Sequence, residues 1–469
     1  MAARIRKREI SPVELLDAHL ENIAALNPRL NAIIELRTER ARQEARAAEA
    51  AVMRGGALGP LHGVPVTIKS SIDVAGLRSE TGSRLRQGMV AAKDAPLVER
   101  LKAAGAIVLG NTNVPELLMA WETDNLLYGA TRNPWDLERT PGGSSGGESA
   151  AIAACLSAGG VGSDGGGSIR VPAHFTGICG LKPTPGRIPA TGHFPEGVGP
   201  FAPLGVVGPM ARTVADLELL FAAMAGFDAG DTMSAPVPLR KISADELRQV
   251  RIGYFEDDGV VPVTAETRAA VRAAADALRK QGFKVAAVKP AYLEKARENW
   301  WNIFVRLGGE LISPLFEGRD EDLSAVLRDF LETAAREPQL SKAGLLDSWV
   351  GRDRARLEMM AEMAETPILL APVCAVPAFR HGERAWTIAG QRVEYLHAMR
   401  YTAWFNLLGN PAASVPVAAS GEGLPIGVQI VGRPYEDELV MAVAGAVERD
   451  FGYREPPLLR EALTLGARG

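Results

Sequence analysis

The sequence predicts an α/β fold, because short apolar runs typical of strands alternate with amphipathic segments typical of helices. An apolar run at 65–69 indicates a buried strand, and it is followed by a predicted helix at 94–104 and a predicted strand at 106–109. A second unit joins a helix at 264–281 to a strand at 283–288. We therefore expect strands and helices to alternate along most of the chain.

The other elements each have their own local signal. The first long helix begins at Ser11, because Ser11, Pro12 and Glu14 form a capping box with proline in the first turn. Residues 290–366 have the composition of a mostly helical region. Further helices are predicted at 37–53 and 149–157, and further strands at 251–255, 368–373, 413–417 and 426–431.

The chain reads as one large domain over residues 1–469, with no internal repeat and no low-complexity linker. Residues 1–58 would supply N-terminal helices, and 59–230 would form the core that carries the motifs described below. Residues 231–469 would complete the sheet, and the helical region at 290–366 would shape a substrate pocket.

The composition indicates a globular protein with enough apolar residues for a sizeable core. Hydrophobic residues make up 47% of the 469, charged residues 23%, and the net charge is −4. There is no basic tract for nucleic acid, no apolar run long enough to span a membrane, and no signal peptide. The three cysteines, Cys155, Cys179 and Cys374, form neither a zinc pattern nor a disulfide framework, so we expect a reducing cytoplasm.

Residues 141–172 contain clusters of glycine and serine and no histidine. A dinucleotide site is one interpretation, because 160–165 fit the pattern G-x-G-x-x-G. That motif should follow a strand and precede an acidic residue about 20 positions later. Here a predicted helix precedes it and 178–187 contain no acid. A phosphate-binding P-loop would need a lysine, and 141–172 contain none.

A second interpretation is the nucleophile elbow G-x-S-x-G, which residues 142–146 fit with Ser144 at the centre. The elbow needs a strand directly before it and a histidine base elsewhere in the chain. The preceding segment is polar and bounded by prolines. The candidate bases are His174, His193, His381 and His397, none of which lies in a recognisable catalytic context.

The whole stretch resembles the amidase signature family. The resemblance rests on PGGSSGGESAA, GSDGGGSIRVPA, CGLKPTPGR, GVPVTIK, ATRNPWD, GPMARTVADL and NLLGNPAASVP, which together extend over most of the chain. It is strongest from about 59 to 220 and weakest at 290–366. It implies a single large α/β domain whose central, mixed and twisted sheet is covered by helices on both sides.

The resemblance also implies a catalytic triad. Ser168 corresponds to the family's nucleophile, Ser144 to the serine that relays a proton, and Lys69 to the base. The peptide bond between Gly143 and Ser144 would be cis. The chemistry is coherent, because a serine hydroxyl needs a neighbouring base and burial favours the neutral form of lysine.

The glycines of the second cluster would supply an oxyanion hole from the backbone N–H groups of Gly165, Gly166, Gly167 and Ser168. Without side chains, several N–H groups can approach one substrate oxygen. Ser145, Asp164 and Arg170 are expected to support these residues, because buried polar groups need hydrogen-bond partners.

Met119, Trp121 and Tyr128 precede or adjoin the A-T-R-N-P element and are candidates for the wall of a substrate pocket. We expect an amidase that hydrolyses a small apolar or aryl amide through an acyl-enzyme on Ser168. Carbamate or ester hydrolysis by the same triad is an alternative.

A further alternative is the glutaminase subunit of a tRNA-dependent amidotransferase. That branch of the family carries an aspartate where this chain has Met399, and a small residue where it has Glu148, so we favour a free-standing hydrolase. No cofactor or metal is expected, and the expected partners are a small-molecule substrate and water, without nucleic acid or membrane. A homodimer is compatible with the sequence, which does not fix the oligomeric state.

Overall fold

The computed structural model describes residues 1–466. Residues 467–469, the end of the segment 231–469 that was expected to complete the sheet, lie outside the described residues. The chain forms a single α/β domain around one mixed sheet of 11 strands. The strands are, in chain order, β1 (Ile33–Leu36), β2 (Pro65–Lys69), β3 (Ile107–Thr112), β4 (Gly159–Asp164), β5 (Cys179–Lys182), β6 (Val206–Ala211), β7 (Arg251–Tyr254), β8 (Lys284–Ala287), β9 (Ile368–Pro372), β10 (Ala385–Ile388), β11 (Gln391–Glu394), β12 (Ala412–Ala419) and β13 (Pro425–Gly432). Strands β10 and β11 form a separate hairpin.

Helices connect the strands throughout. The α-helices are α1 (Ala2–Arg6), α2 (Pro12–Leu30), α3 (Thr38–Arg54), α4 (Pro96–Ala103), α5 (Gly146–Ala153), α6 (Arg170–Thr176), α7 (Val214–Met224), α8 (Ala244–Gln249), α9 (Ala265–Lys280), α10 (Leu293–Trp300), α11 (Gly308–Ile312), α12 (Ala325–Ala335), α13 (Lys342–Glu362), α14 (Tyr395–Ala398), α15 (Arg400–Leu407), α16 (Asp437–Glu448) and α17 (Pro457–Gly466). A π-helical segment, Trp301–Leu307, joins α10 to α11. No helix within 1–466 is both long enough and apolar enough to cross a membrane.

The order of strands in the sheet is β1-β3-β2-β4-β6-β5-β12-β13-β9-β7-β8. Strand β2 pairs in parallel with β3 on one side and with β4 on the other. The other edge of β4 pairs antiparallel with β6. Because the ends of neighbouring parallel strands meet at one edge of a sheet, the last residues of β2 and β4 lie close together. Lys69 ends β2 and Asp164 ends β4.

The sheet is buried on both faces, as the sequence predicted. Alternate residues of a strand point to opposite faces. Val66, Ile68 and Val108 pack with residues of α4, α7, α9 and α16 in one apolar cluster. Ile107 and Leu109 face the other way, into a cluster with α2 and α5.

The strand predicted at 65–69 is confirmed, and so is the helical character of 290–366. The helix predicted at 149–157 begins earlier, at Gly146, and ends at Ala153, shortly before Cys155, whose φ of 56° lies in the left-handed region. The short strands β1, β5 and β6, the hairpin β10–β11 and the glycine-rich β4 have no clear signal in the sequence.

Strand β4 explains why the G-x-G-x-x-G pattern is not a phosphate loop. The first two glycines of the pattern, Gly160 and Gly162, are strand residues, and Gly160 pairs with Thr67 of β2. A Cβ atom at Gly160 would overlap the Thr67 carbonyl oxygen and Oε1 of Glu148. Glycine is therefore required by the close approach of a neighbouring strand and of a buried carboxyl group.

We expect Gly160→Ala to lower the free energy of unfolding by about 3 kcal/mol, because overpacking forces backbone shifts in a closed core. Gly205→Ala is the matched control, because a Cβ there meets no atom within 4 Å. Urea denaturation of both variants measures the difference. Equal stabilities would contradict the packing account.

Candidate active site

Lys69 lies at the end of β2 with its side chain completely buried. Its Nζ atom is 2.7 Å from Ser144 Oγ, 2.9 Å from Ser145 Oγ and 2.9 Å from Ser163 Oγ. Burial lowers the pKa of the Lys69 amine well below its ordinary value, although the charges of Asp164 and Glu148 act in the opposite direction. The structure therefore favours a neutral amine surrounded by hydroxyl groups.

The three hydroxyl contacts match the hydrogen-bonding capacity of a neutral amine, which has two N–H donors and one lone pair. Ser145 donates its own hydroxyl to the Ser163 carbonyl oxygen, 3.2 Å away, so its oxygen is free to accept from Lys69. Ser144 makes the shortest of the three contacts. This arrangement allows the Ser144 hydroxyl to donate to the lone pair of Lys69.

Glu148 projects from α5 toward β2 and β3, close to Lys69, and is completely buried. Its two carboxyl oxygens accept hydrogen bonds from Thr67 and Thr112. Burial raises the pKa of Glu148 to about 8, against the lowering effect of those bonds and of the Lys69 charge. Near neutral pH the carboxyl group is therefore mostly protonated and adds little negative charge, so Asp164 is the main negative charge that favours a proton on Lys69.

Ser144 and Ser168 come from two segments that meet beside Lys69. The Gly143–Ser144 peptide bond is cis, as the family resemblance implies. The Ser145 N–H donates to the Ser168 carbonyl oxygen over 3.1 Å, which joins the two segments. Both serines line one cavity. Within the described chain their hydroxyls share no hydrogen bond, and such bonds often form only when substrate is bound.

The loop between β4 and α6 carries the predicted oxyanion donors. Gly167 donates its N–H to Asp164 Oδ1 over 2.7 Å, so this donor is already engaged. The N–H groups of Gly165, Gly166 and Ser168 make no hydrogen bond to any residue in 1–466. Three of the four predicted donors are thus available to a bound oxygen.

Two carbonyl oxygens of the same loop accept hydrogen bonds from side chains of distant segments. The Trp300 indole donates to the Gly165 oxygen over 3.2 Å. The Gly166 oxygen accepts from the Trp121 indole at 3.0 Å and from the Thr402 hydroxyl at 2.7 Å. Each carbonyl group shares its peptide plane with the N–H group of the next residue. Trp300 therefore fixes the direction of the available Gly166 N–H, whereas Trp121 and Thr402 fix the peptide group whose N–H, that of Gly167, donates to Asp164.

Asp164 and Arg170 form a buried ion pair with a shortest distance of 3.0 Å. Burial opposes ionisation of Asp164, but the charge and hydrogen bonds of Arg170 lower the pKa of this carboxyl group below its ordinary value. Arg170 also donates to Gln429 and Asn406, which lie on β13 and α15. These hydrogen bonds therefore connect the nucleophile loop to elements from the last third of the chain.

A cavity of about 350 Å³ opens beside the two serines. Its wall is largely apolar and includes side chains from the π-helical segment and α11. The lining includes Leu117, Leu118, Met119, Phe194, Val198, Phe201, Leu204, Phe304, Leu311, Ile312 and Leu315. Among the described lining residues there is no lysine or arginine, and the only carboxylates are Asp164 and the exposed Glu196.

The three predicted substrate residues have different surroundings in the structure. Met119 lines the cavity. Trp121 is buried against the glycine loop and lines a small adjoining space that also reaches Ser168. Tyr128 is not among the lining residues of either space, because its hydroxyl group is bonded to Glu80 and lies 3.5 Å from Arg78.

The histidines of the elbow interpretation contact groups other than the Ser144 hydroxyl. His174 contacts the carbonyl oxygens of Val376 and Gly427, and His381 contacts Glu122 and a backbone oxygen. His397 packs against Trp301. His193 lines the cavity, but its ring contacts the Pro195 carbonyl oxygen. None of the four is hydrogen-bonded to Ser144 in the described chain.

Sequence reasoning missed Ser163 and Thr402 as parts of this site, and it missed the contact of Trp300 with the glycine loop. Ser163 was hidden within the glycine pattern, where no strand was predicted. Trp300 and Thr402 lie 135 and 236 residues after the loop glycines that they contact, so no local pattern could indicate their role.

A family model described as Amidase matches residues 14–441. The chain belongs to the amidase signature family. As a member, it is an amide C–N bond hydrolase. It is 36% identical over 461 residues to an indoleacetamide hydrolase of Bradyrhizobium diazoefficiens, across 96% of this chain and 86% of that protein. It is 35% identical to a glutamyl-tRNA(Gln) amidotransferase subunit of Chloroflexus aggregans, across 96% of each chain.

Solved structures agree with this membership of the amidase signature family. A bacterial aryl acylamidase of that family superposes with a TM-score of 0.84 at 28% identity, over 96% of this chain and 95% of the other. A second structure is a vestigial protein complex that reveals the evolutionary origins of an s-triazine catabolic enzyme. One of its chains superposes with a TM-score of 0.88 at 32% identity, over 97% of this chain and 98% of the other.

The buried carboxyl group of Glu148 should make stability depend on pH. In the unfolded chain Glu148 ionises near pH 4.5, whereas in the fold it keeps its proton to about pH 8. Between these values the folded protein holds a proton that the unfolded chain has released, so the contribution of Glu148 to stability falls as pH rises. Glu148→Gln cannot titrate, so its stability relative to the native protein should rise from pH 5 to pH 8 by at least about 1.4 kcal/mol, the value of one pKa unit.

Urea denaturation at the two pH values measures this change. Glu21→Gln is the control, because Glu21 is exposed on α2 and should show the same difference from the native protein at both pH values. A pH-independent difference for Glu148→Gln would show that the buried group is ionised throughout.

Proposed function

We propose that the protein hydrolyses the C–N bond of a small apolar or aryl amide through an acyl-enzyme on Ser168. The observation that carries the proposal is the contact of a buried Lys69 amine with the Ser144 hydroxyl, at 2.7 Å, beside the cavity that Ser168 also lines. A buried amine that prefers to be neutral is a base of the kind that a serine nucleophile requires.

In the proposed reaction, Ser168 Oγ attacks the amide carbonyl carbon. The Ser168 proton passes to Ser144 as the Ser144 proton passes to Lys69. The tetrahedral intermediate then collapses, the C–N bond breaks, and the leaving amine takes a proton back through Ser144. Water then attacks the acyl-enzyme as its proton passes through Ser144 to Lys69. The second tetrahedral intermediate collapses, the bond to Ser168 Oγ breaks, the carboxylic acid leaves, and the proton returns through Ser144 to Ser168.

The N–H groups of Gly165, Gly166 and Ser168 would stabilise the negative charge on the substrate oxygen. The direction of the Gly166 N–H is fixed before substrate arrives, because Trp300 holds the Gly165 carbonyl group of the same peptide. Trp121 and Thr402 hold the next peptide group, which lies between the Gly166 and Ser168 donors. Preorganised donors of this kind stabilise developing charge without reorganising during the reaction.

The cavity supports an apolar substrate. Its wall consists mostly of aliphatic and aromatic side chains, which favour an apolar body attached to the amide. Similarity to an indoleacetamide hydrolase and to an aryl acylamidase points in the same direction. The same triad would also cleave carbamates or esters, because both present a carbonyl carbon with a leaving group.

The glutaminase role is supported by similarity to subunits of glutamyl-tRNA(Gln) amidotransferases. Glutamine carries an ammonium and a carboxylate group, and each needs a charged partner. The described cavity offers no lysine or arginine, and Met399, at the position where that branch carries aspartate, is buried in an apolar cluster. We therefore favour the free-standing hydrolase.

The triad predicts how substitutions affect turnover of aryl amides, anilides, esters and carbamates. Lys69→Met should lower kcat/KM by about 10²–10⁴-fold, the usual contribution of a general base, and Ser168→Ala should reduce it to background. Lys182→Met is the control, because Lys182 is equally buried but its amine donates to the Pro183 carbonyl oxygen and not to any of the three serines. Retention of activity by Lys69→Met would refute the mechanism.

Covalent labelling distinguishes the two candidate nucleophiles. A fluorophosphonate should label Ser168, and peptide mass spectrometry identifies the modified residue. A label on Ser144 would instead support the elbow interpretation.

Thr402 tests the support of the oxyanion donors. Thr402→Val keeps the shape of the side chain but removes one of two donors to the Gly166 oxygen. Loss of an oxyanion donor itself costs about 10²–10³ in kcat. Thr402→Val loosens the peptide group that lies between the Gly166 and Ser168 donors, so kcat should fall by less, about tenfold, with KM nearly unchanged. Thr402→Ser should restore kcat. A change confined to KM would assign Thr402 to substrate binding instead.

A further inference from the structure

Two open spaces touch Ser168, the proposed nucleophile. One is the apolar cavity of about 350 Å³ described above. The other is the adjoining space that Trp121 also lines, which has about 10 Å³, close to the room that one water molecule needs. Apart from Ser168 and Gly166, the described lining of the adjoining space consists of apolar and aromatic side chains. The mechanism proposed above gives this space no task.

Three aromatic rings that line the adjoining space are held in place. The indole N–H groups of Trp121 and Trp300 donate to carbonyl oxygens of the glycine loop over 3.0 Å and 3.2 Å. Phe304 stacks on Trp300, with ring centroids 4.6 Å apart. Close-packed rings of this kind do not move aside for an additional methylene group at low cost.

Met119, Phe330 and Leu396 line the adjoining space and also line a further cavity of about 420 Å³. Residues that line two spaces lie between them, so we call these three the dividing wall. Phe330 is buried and packs edge-on against Phe304, with ring centroids 6.2 Å apart. Truncating a side chain of the dividing wall would therefore join the adjoining space to a much larger one.

The position of Ser144 indicates which end of the substrate faces each space. In the tetrahedral intermediate, the carbon on Ser168 Oγ carries an oxygen, a nitrogen and the acyl substituent. Ser144 has to reach the nitrogen, because it returns the proton to the leaving amine. Ser144 lines the apolar cavity and is not among the described lining residues of the adjoining space. The nitrogen and the group it carries therefore face the apolar cavity.

The oxygen and the acyl substituent are then the two groups left for the adjoining space. The oxygen carries negative charge, which aromatic and aliphatic walls do not stabilise. We propose that the adjoining space holds the acyl substituent and that the dividing wall limits this substituent to about one carbon. The preferred substrates are then acetyl-sized amides of a larger apolar or aryl amine. This assignment rests on the proposed function and narrows its substrate class.

Two isomeric amides test the orientation of the substrate. Acetanilide has a methyl group as its acyl substituent and an aryl amine, whereas phenylacetamide has a benzyl group as its acyl substituent and releases ammonia. The native protein should hydrolyse acetanilide with a kcat/KM at least about tenfold higher, the low end of the discrimination that one methylene group gives. Equal rates, or a preference for phenylacetamide, would overturn the proposal.

The dividing wall is tested with para-nitroacetanilide and para-nitrobutyranilide, which share a leaving amine and differ only in the length of the acyl substituent. The native protein should prefer the acetyl compound by at least about tenfold in kcat/KM. Leu396→Ala and Phe330→Ala join the adjoining space to the further cavity and should bring this ratio close to one. Leu311→Ala is the matched control, because Leu311 lines the apolar cavity but not the adjoining space, so both rates should change by the same factor.

An unchanged ratio in folded Leu396→Ala and Phe330→Ala proteins would overturn the proposal. If kcat also fell equally for both anilides, the substrate oxygen rather than the acyl substituent would occupy the adjoining space. Circular dichroism checks that each variant is folded. Leu396 is only half-buried, so Leu396→Ala keeps the test decisive if Phe330→Ala does not fold.

Failure of the proposed function gives a different result, because the native protein would then hydrolyse none of these amides. In that case calorimetric titration of the two para-nitroanilides into the native protein and into Leu396→Ala gives the ratio from dissociation constants. A gain in affinity for the butyryl compound that is confined to Leu396→Ala would support the dividing wall. Equal affinities in both proteins, or lack of binding, would reject it.

Discussion

The site depends on keeping the Lys69 amine away from water. Strand β2, which ends at Lys69, is an interior strand of the sheet, with β3 and β4 on either side. The amine then meets hydroxyl groups rather than a carboxylate, and Glu148, the buried acid on the neighbouring helix, holds its own proton near neutral pH. A buried lysine without a negative partner is destabilised as an ammonium ion, which makes it available as a base.

This constraint explains much of the local packing. Helix α5 must approach closely enough for Glu148 to reach Thr67 and Thr112, and glycine at position 160 leaves the space for it. The same helix follows directly after Ser144 and Ser145, so its approach to the sheet also brings both hydroxyls to Lys69. The packing of α5 against the sheet therefore also positions the hydroxyl groups that contact Lys69.

Local patterns predicted those parts of the fold in which the signal lies within a few residues. The apolar run at 65–69 became β2, and the capping box at Ser11 became the start of α2. Strand β4 was missed because glycine disfavours strands on its own, and only the closeness of β2 and Glu148 makes it necessary at 160. The position of Tyr128 in the sequence predicts a pocket residue, but in the fold its hydroxyl group donates a hydrogen bond to Glu80.

The sequence by itself determined the family, the α/β class and the three residues whose chemistry is compatible with a serine hydrolase that lacks a histidine base. Tertiary structure decided the protonation of Lys69 and Glu148 and the engagement of the Gly167 N–H by Asp164. The reason is physical. A pKa and a free donor or acceptor depend on which distant segments exclude water and fill hydrogen bonds, and such contacts leave no pattern in the local sequence.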